Sequence, residues 1–137
     1  MLKYDLIHPP MLEALGTAGH GSKILLADGN YPYLTVRNAA ARLVHLNVAP
    51  DLLTVTQVLE VLTTAVNFEA ATVMAPGDGS EVDAHVEYRR VLGEGVPFES
   101  TDRWSFYDLA RSSDVGLIVA TGDRRVYANV VLTIGLR

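Results

Sequence analysis

Cysteine is absent from this 137-residue sequence. Its absence excludes a disulfide framework, a cysteine-based zinc site and a thiol nucleophile. The four histidines also lack a metal-ligand spacing such as His-x-x-x-His; they are His8, His20, His45 and His85. We therefore expect no bound metal.

Positive charge is scarce as well. The sequence has 11 Lys and Arg against 16 Asp and Glu, a formal net charge of -5, and its basic residues form no stripe. This pattern argues against a nucleic-acid partner. No apolar run approaches the roughly 20 residues that span a bilayer, and the first residues lack the order of a signal peptide. We expect no membrane association and a cytoplasmic location.

Apolar residues are plentiful by contrast. They make up 49% of the sequence, and the mean hydropathy is +0.19. A chain of this length is typical of one domain, predicted here over residues 1–137, and small domains have a large surface for their volume. So apolar a composition predicts that part of the surface is buried between subunits.

Hydrophobic periodicity and turn signals predict alternating helices and strands. Helices are predicted from Pro9, after a Thr54 capping box, over 81–92 and over 103–111, the last capped by Thr101 or Asp102. Strands are predicted over 23–28, 43–48, 68–75, 115–120 and 126–134, with a short extended piece over 96–99. We interpret 121–124 as a hairpin turn between the last two strands. The alternation predicts a layered α/β domain with a mixed sheet.

The stretch 19–32 carries the most suggestive chemistry. His20 lies between Gly19 and Gly21, where the backbone can approach a ligand closely. Asp28 follows the apolar run Ile-Leu-Leu-Ala, and ligands of open α/β sheets usually bind beyond the carboxyl ends of strands. His20 is the candidate proton carrier and Asp28 its companion. The alternative is an ordinary solvated loop histidine followed by an Asp-Gly-Asn turn.

Three segments together resemble the ribose pyranase and fucose mutarotase family. The first is 19–32, with its Gly-His-Gly turn, Asp28 and Asn-Tyr-Pro; the second is Asp-Arg-Trp-Ser-Phe-Tyr over 102–107. The third is Ala-Thr-Gly over 120–122, followed by Tyr-Ala-Asn over 127–129. Their order and spacing agree with the family over nearly all of the chain. Arg103, where the ribose-type branch has His, favours the fucose-type branch.

The resemblance implies a three-layer α/β/α fold on a sheet of about six strands. It also implies a cofactor-independent isomerase that interconverts the anomers or ring forms of a monosaccharide such as L-fucose. His20 carries over as the proton donor, and the residues that hold the sugar are Asp28, Arg103, Tyr127 and Asn129. The assembly it implies is a homo-oligomer, a decamer in bacterial members, with active sites between subunits.

The implied reaction suits these residue types. Opening a cyclic hemiacetal moves a proton from the anomeric hydroxyl to the ring oxygen, and imidazole, with an unperturbed pKa of about 6.5, can carry it. Three other interpretations stay open: a D-ribose pyranase, a sugar-binding accessory protein of a transport or catabolic operon without turnover, and a purely structural oligomer module. His20 and Asp28, eight positions apart, could lie up to roughly 26 Å from each other across a strand. We therefore expect either a sharp fold-back or a site built from two chains.

Overall fold

The computed structural model describes all residues, 1–137, and contains four helices and six strands. In chain order they are α1 (Pro9–Thr17), β1 (Lys23–Ala27), β2 (Arg42–His45), α2 (Val55–Thr63), β3 (Phe68–Met74), α3 (Asp83–Leu92), β4 (Phe98–Thr101), α4 (Arg103–Arg111), β5 (Val115–Ala120) and β6 (Val130–Ile134). The prediction of an α/β fold is confirmed.

All six strands form one mixed sheet in the order β2-β5-β1-β6-β3-β4. Only β6 is antiparallel to its neighbours, which are β1 and β3. The predicted hairpin between β5 and β6 is wrong, because β1 lies between them. Residues 24–27 of β1 are buried, so this strand takes a central place with a neighbour on each edge. The connection over 121–129 passes across its end.

The sheet is covered on both faces, as a three-layer arrangement requires. Ile24 and Leu26 of β1 pack into a core with α1, α2 and α3. Leu25 and Ala27 point to the opposite face and pack against α4 and the loop over 29–41. This alternation along one strand explains why β1 reads as a continuous apolar run.

Local capping sets several helix boundaries. The hydroxyl oxygen of Thr54 accepts a hydrogen bond from the backbone N–H of Gln57, and the Gln57 side chain accepts one from the backbone N–H of Thr54, which completes the predicted capping box. Asp102 accepts hydrogen bonds from the backbone N–H groups of Trp104 and Ser105, so α4 begins at Arg103 as predicted. These bonds satisfy amide groups that have no partner inside a helix.

Other boundaries differ from the sequence prediction. The last strand was predicted from Val126, but β6 begins at Val130 because Tyr127 has a φ of 60°, which no strand residue adopts. The second strand ends at His45, α3 begins at Asp83, and β4 lies two residues later than the predicted extended piece. No helix has both the length and the apolar character needed to cross a membrane.

Candidate functional site

A small pocket lies at the carboxyl end of β1 and β3, where β6 and α4 begin. Its volume is about 340 Å³, near the lower end of the range for ligand pockets. Its lining includes all four residues for which the resemblance implies a sugar-holding role: Asp28, Arg103, Tyr127 and Asn129. The structure thus brings together side chains that are up to 101 positions apart in the sequence.

Asp28 is held by Asn129 and by its own turn. Its Oδ2 accepts a hydrogen bond from Asn129 Nδ2 at 2.9 Å, and its Oδ1 accepts one from the backbone N–H of Asn30 at 2.8 Å. The side chain is buried. Burial raises the pKa of Asp28 to about 6, although the N–H groups of Asn30 and Ala128 favour the ionised form. The carboxyl therefore changes charge close to neutral pH.

Arg103 and Tyr127 face each other across the pocket, with the Arg103 Nη2 3.5 Å from the Tyr127 hydroxyl. Arg103 is the first residue of α4, and its position depends on the Asp102 cap. Hydrogen bonds from the Ser105 hydroxyl and N–H lower the pKa of Asp102, so the cap remains a charged acceptor. A guanidinium and a phenol at this spacing offer a sugar several donors and one adaptable hydroxyl.

The backbone of Tyr127 is in the left-handed region, which is unusual for a bulky residue. Two side chains of α3 form hydrogen bonds with the backbone of residues 127 and 128. His85 Nε2 donates a hydrogen bond to the Tyr127 carbonyl at 2.8 Å, and the Tyr88 hydroxyl donates one to the Ala128 carbonyl at 2.8 Å. Burial lowers the pKa of His85, although the carbonyl favours its protonated form. His85 was not predicted as a site residue, because nothing in the sequence pattern links it to Tyr127.

A network of charged side chains also holds the loop over 121–129, which connects β5 to β6. Arg125 donates hydrogen bonds to Asp123 at 2.7 and 3.0 Å and to Glu87 at 2.9 Å. The backbone N–H of Val55, at the start of α2, donates to Asp123 Oδ2 at 3.0 Å. Burial alone would raise the pKa of Asp123, but the hydrogen bonds from Arg125 and Val55 outweigh it, and the pKa lies below its ordinary value. The network joins α2, α3 and the loop that carries Tyr127.

Aromatic rings form the wall and the rim of the pocket. Tyr31 and Tyr107 line it and meet edge to face, with ring centres 5.7 Å apart. Trp104 packs its ring against Tyr107 but remains 71% exposed, and Val126 on the lining is 65% exposed. Large apolar side chains that stay exposed at a pocket rim are typical of a surface that another molecule covers.

His20 lies at the other end of the sheet. It belongs to the loop between α1 and β1, next to the last residue of β6, since the Gly21 N–H donates to the Ile134 carbonyl at 2.9 Å. The pocket lies at the first residue of β6, so the two are separated by the length of this strand, about 17 Å. Within one chain, His20 therefore does not reach Asp28. Its own partner is Glu69, whose Oε2 lies 2.8 Å from His20 Nε2.

A larger groove of about 600 Å³ adjoins the pocket and shares Val126 and Tyr127 with it. It is lined by the acidic residues Asp78, Glu81 and Asp83, and Tyr127 is the one predicted sugar-holding residue among its lining residues. Nowhere does the chain gather three or more His, Asp or Glu side chains into a group that could hold a metal ion.

The fold and the pocket define a class: an α/β protein with a small, polar, aromatic-walled binding site beyond the carboxyl ends of its central strands. The chain belongs to the RbsD/FucU transport protein family, whose model matches residues 1–137. The resemblance in the sequence is thereby confirmed.

Curated relatives and solved structures match this chain over nearly its whole length. The chain is 30% identical to human fucose mutarotase, over 96% of the chain and 90% of the relative. It is 27% identical to L-fucose mutarotase of Glaesserella parasuis, over 99% and 96%. Bacillus subtilis RbsD complexed with D-ribose superposes with a TM-score of 0.86 at 22% identity, over 100% of this chain and 99% of that one. Streptococcus pneumoniae fucose mutarotase in complex with L-fucose gives 0.84 at 23%, over 100% and 99%.

Proposed function

We propose that this chain is a monosaccharide mutarotase that opens and recloses the ring of an L-fucose-like sugar without a cofactor. The observation that carries the proposal is the convergence of Asp28, Arg103, Tyr127 and Asn129 on one small pocket. Relatives named fucose mutarotase that span the same length support it. A cytoplasmic location stays a prediction.

The pocket offers the hydrogen bonds that a sugar needs. Each sugar hydroxyl can donate one bond and accept two. Both oxygens of Asp28 already accept one hydrogen bond and retain a further lone pair, so they can take a bond from a sugar hydroxyl. Arg103 can donate to a second hydroxyl, and the rings of Tyr31 and Tyr107 can cover an apolar face of the sugar.

Ring opening requires a proton to move between two oxygens of the sugar. The anomeric O–H bond breaks while the C1–O bond to the ring oxygen breaks, a carbonyl forms at C1, and the ring oxygen gains a proton. In the proposed reaction His20 carries that proton, and ring closure from either face of the carbonyl returns it. A positioned acid/base group contributes about 10²- to 10⁴-fold to such a step.

Since His20 and the pocket lie at opposite ends of the sheet, we propose that each site combines the pocket of one subunit with His20 of a neighbour. The exposed Trp104 and Val126 at the pocket rim support such a contact. Closed homo-oligomers built from repeated contacts are common among soluble proteins. A decamer stays the expected assembly.

Two other functions remain as outcomes of the test. A D-ribose pyranase is the first, favoured by the likeness in fold to RbsD with D-ribose. A sugar-binding accessory protein is the second; it would keep the pocket but show no turnover. Both use the same pocket residues, so only measurements with defined sugars separate them.

Saturation-transfer NMR tests the proposal, because it reports exchange between sugar forms directly. The panel is L-fucose, D-ribose, galactose and rhamnose. We expect L-fucose to exchange fastest and His20→Ala to reduce exchange to the buffer rate without unfolding the protein, since His20 is exposed. Binding without exchange would identify an accessory protein. Full activity of His20→Ala would remove His20 from the mechanism.

The shared site has its own test. His20→Ala and Asp28→Asn chains, each inactive alone, are produced together with two different affinity tags and purified through both. Random mixing leaves about one quarter of the pockets intact and facing an intact His20, so about a quarter of the wild-type rate should return. No recovery, or a monomer in sedimentation, would contradict the shared site. Co-production of wild type with His20→Ala controls for the effect of the tags.

A further inference from the structure

Glu69, the second residue of β3, lies at an irregularity in the sheet. The pairing of β3 with β6 runs from Phe68 and Ile134 directly to Ala70 and Thr133, so Glu69 has no opposite residue. One extra residue on one strand is a β-bulge. Bulges occur often beside active sites, where they change the direction of a side chain.

The consequence is visible in the packing of β3. Side chains of a regular strand alternate between the two faces, so Phe68 and Ala71 would face opposite ways. In this structure Phe68, Ala71 and Val73 all pack into the core formed with α1, α2 and α3. Without the bulge, Glu69 would share the buried face with Ala71 and Val73. The bulge gives that place to Phe68 and leaves Glu69 43% exposed.

The redirected carboxylate meets His20, with the Glu69 Oε2 2.8 Å from the His20 Nε2. The end of β6 passes close beside it: a Cβ on Gly135 would lie 3.2 Å from the Glu69 Cβ and 3.3 Å from its backbone N. A carboxylate can only accept, so Nε2 carries the hydrogen of this bond. In the neutral imidazole, Nδ1 is then the nitrogen with a free lone pair.

We propose that Glu69 is a positioning residue for His20: it holds the ring in one orientation and keeps Nδ1 as the atom that exchanges a proton with the sugar. The inference rests on the proposed role of His20 as proton carrier. Nδ1 takes the proton of the anomeric hydroxyl and gives it to the ring oxygen, and Glu69 favours the imidazolium that exists in between. Glu69 itself neither gains nor loses a proton.

A surface ion pair without this role would behave differently. Both side chains are about half exposed, and exposed pairs contribute little to stability. Carboxylates that orient histidines in metal sites are worth about 10- to 100-fold in affinity or activity. The two interpretations therefore predict different effects on turnover when Glu69 is removed, and similar small effects on stability.

The test compares Glu69→Ala with Glu13→Ala in the full-length protein. Glu13 is a matched control, an exposed carboxylate that forms an ion pair with Arg42 on another part of the surface. We expect Glu69→Ala to lower kcat for sugar exchange by about 10- to 100-fold with KM unchanged, and Glu13→Ala to change neither. Wild-type kcat in Glu69→Ala would overturn the inference.

A second measurement is made on the wild type and does not depend on the folding of any Glu69 variant. NMR of the ¹⁵N-histidine-labelled wild type, with His20 assigned by the signals lost in His20→Asn, reports which ring nitrogen carries the hydrogen. We expect Nε2 in the neutral form; a hydrogen on Nδ1 would overturn the inference. If His20→Ala retains full exchange, the proposed function of His20 fails. If His20→Ala is inactive while Glu69→Ala is fully active, the inference on Glu69 alone fails.

Discussion

Asp28 and Asn129 bind each other through two hydrogen bonds. The Asn129 Oδ1 accepts from the Asp28 backbone N–H at 2.8 Å, and the Asn129 Nδ2 donates to the Asp28 Oδ2 at 2.9 Å. The pair joins the residue after β1 to the residue before β6, 101 positions later. Because both groups of the amide are used, Asn129 fixes the orientation of the Asp28 carboxyl in the lining of the pocket.

The first prediction concerns this pair. Asn129→Ala leaves the Asp28 N–H and Oδ2 without their partner, and each buried polar group left unpaired costs about 1–3 kcal/mol. We expect a lower thermal unfolding midpoint and weaker sugar binding. Both are measured at one protein concentration, since the stability of the proposed assembly would depend on it.

The control is Asn47→Ala, which removes an exposed amide bonded to the Tyr33 hydroxyl. This variant should retain the wild-type midpoint. An equal effect of the two substitutions would contradict the role of the Asp28–Asn129 pair.

The second prediction concerns pH. Burial raises the pKa of Asp28 from its ordinary 3.8 to about 6, so the folded protein binds this proton more tightly than the unfolded chain. The resulting stabilisation, up to about 3 kcal/mol, is complete below pH 4 and is lost as the pH rises through 6. Asp28→Asn removes this dependence.

We therefore expect the unfolding midpoint of wild type minus that of Asp28→Asn to decrease between pH 4 and pH 7. Thermal melts in buffers of equal ionic strength measure it. A difference that stays constant over this range would show that the Asp28 pKa is not raised by folding.

The sequence predicted the parts of the fold that local chemistry determines. The Thr54 capping box and the Asp102 cap gave two helix starts, and the apolar run before Asp28 gave β1, because caps and apolar periodicity act within a few residues. The hairpin prediction failed because the place of β1 between β5 and β6 depends on packing of the whole sheet. A turn signal carries no information on that packing.

The same distinction between local signals and long-range contacts applies to the residues of the candidate site. Asp28 was also indicated by its place after an apolar strand, whereas Arg103, Tyr127 and Asn129 were found only through motifs shared with a family. Glu69 and His85 were missed because their partners, His20 and Tyr127, lie 49 and 42 positions away. The bulge at Glu69 leaves no mark in the sequence other than a charged residue inside an apolar strand.

The third prediction concerns sugar preference. Arg103 is exposed at the start of α4, so Arg103→His should leave the unfolding midpoint nearly unchanged. Arg and His differ in charge, reach and number of donors, and the hydroxyls they can hold differ accordingly. We expect the ratio of kcat/KM for L-fucose to that for D-ribose to fall by about 10-fold.

Arg111→His is the control, since Arg111 is a partly exposed arginine at the other end of the same helix. It should leave the ratio unchanged. An equal loss on every sugar in Arg103→His would indicate a structural role for Arg103 instead.

The fourth prediction concerns the support of Tyr127. A left-handed backbone at a bulky residue costs about 1–3 kcal/mol and persists only where neighbours hold it. His85 supplies the hydrogen bond that holds the Tyr127 carbonyl. Its lowered pKa keeps the ring neutral at pH 7, so this bond does not depend on protonation near neutrality. Without it the Tyr127 ring should lose its fixed place opposite Arg103.

We expect His85→Leu to raise KM for the sugar by about 10-fold, with a smaller change in kcat, because the role proposed for Tyr127 is to hold the sugar and not to carry the proton. His85→Gln keeps an N–H that can donate to the carbonyl and should restore most of the affinity. Val86→Ala is the control, since Val86 is the next residue of α3 and lies half exposed on its outer side. Exchange kinetics by saturation transfer provide both constants. If KM is the same in His85→Leu as in Val86→Ala, the Tyr127 backbone is held without His85.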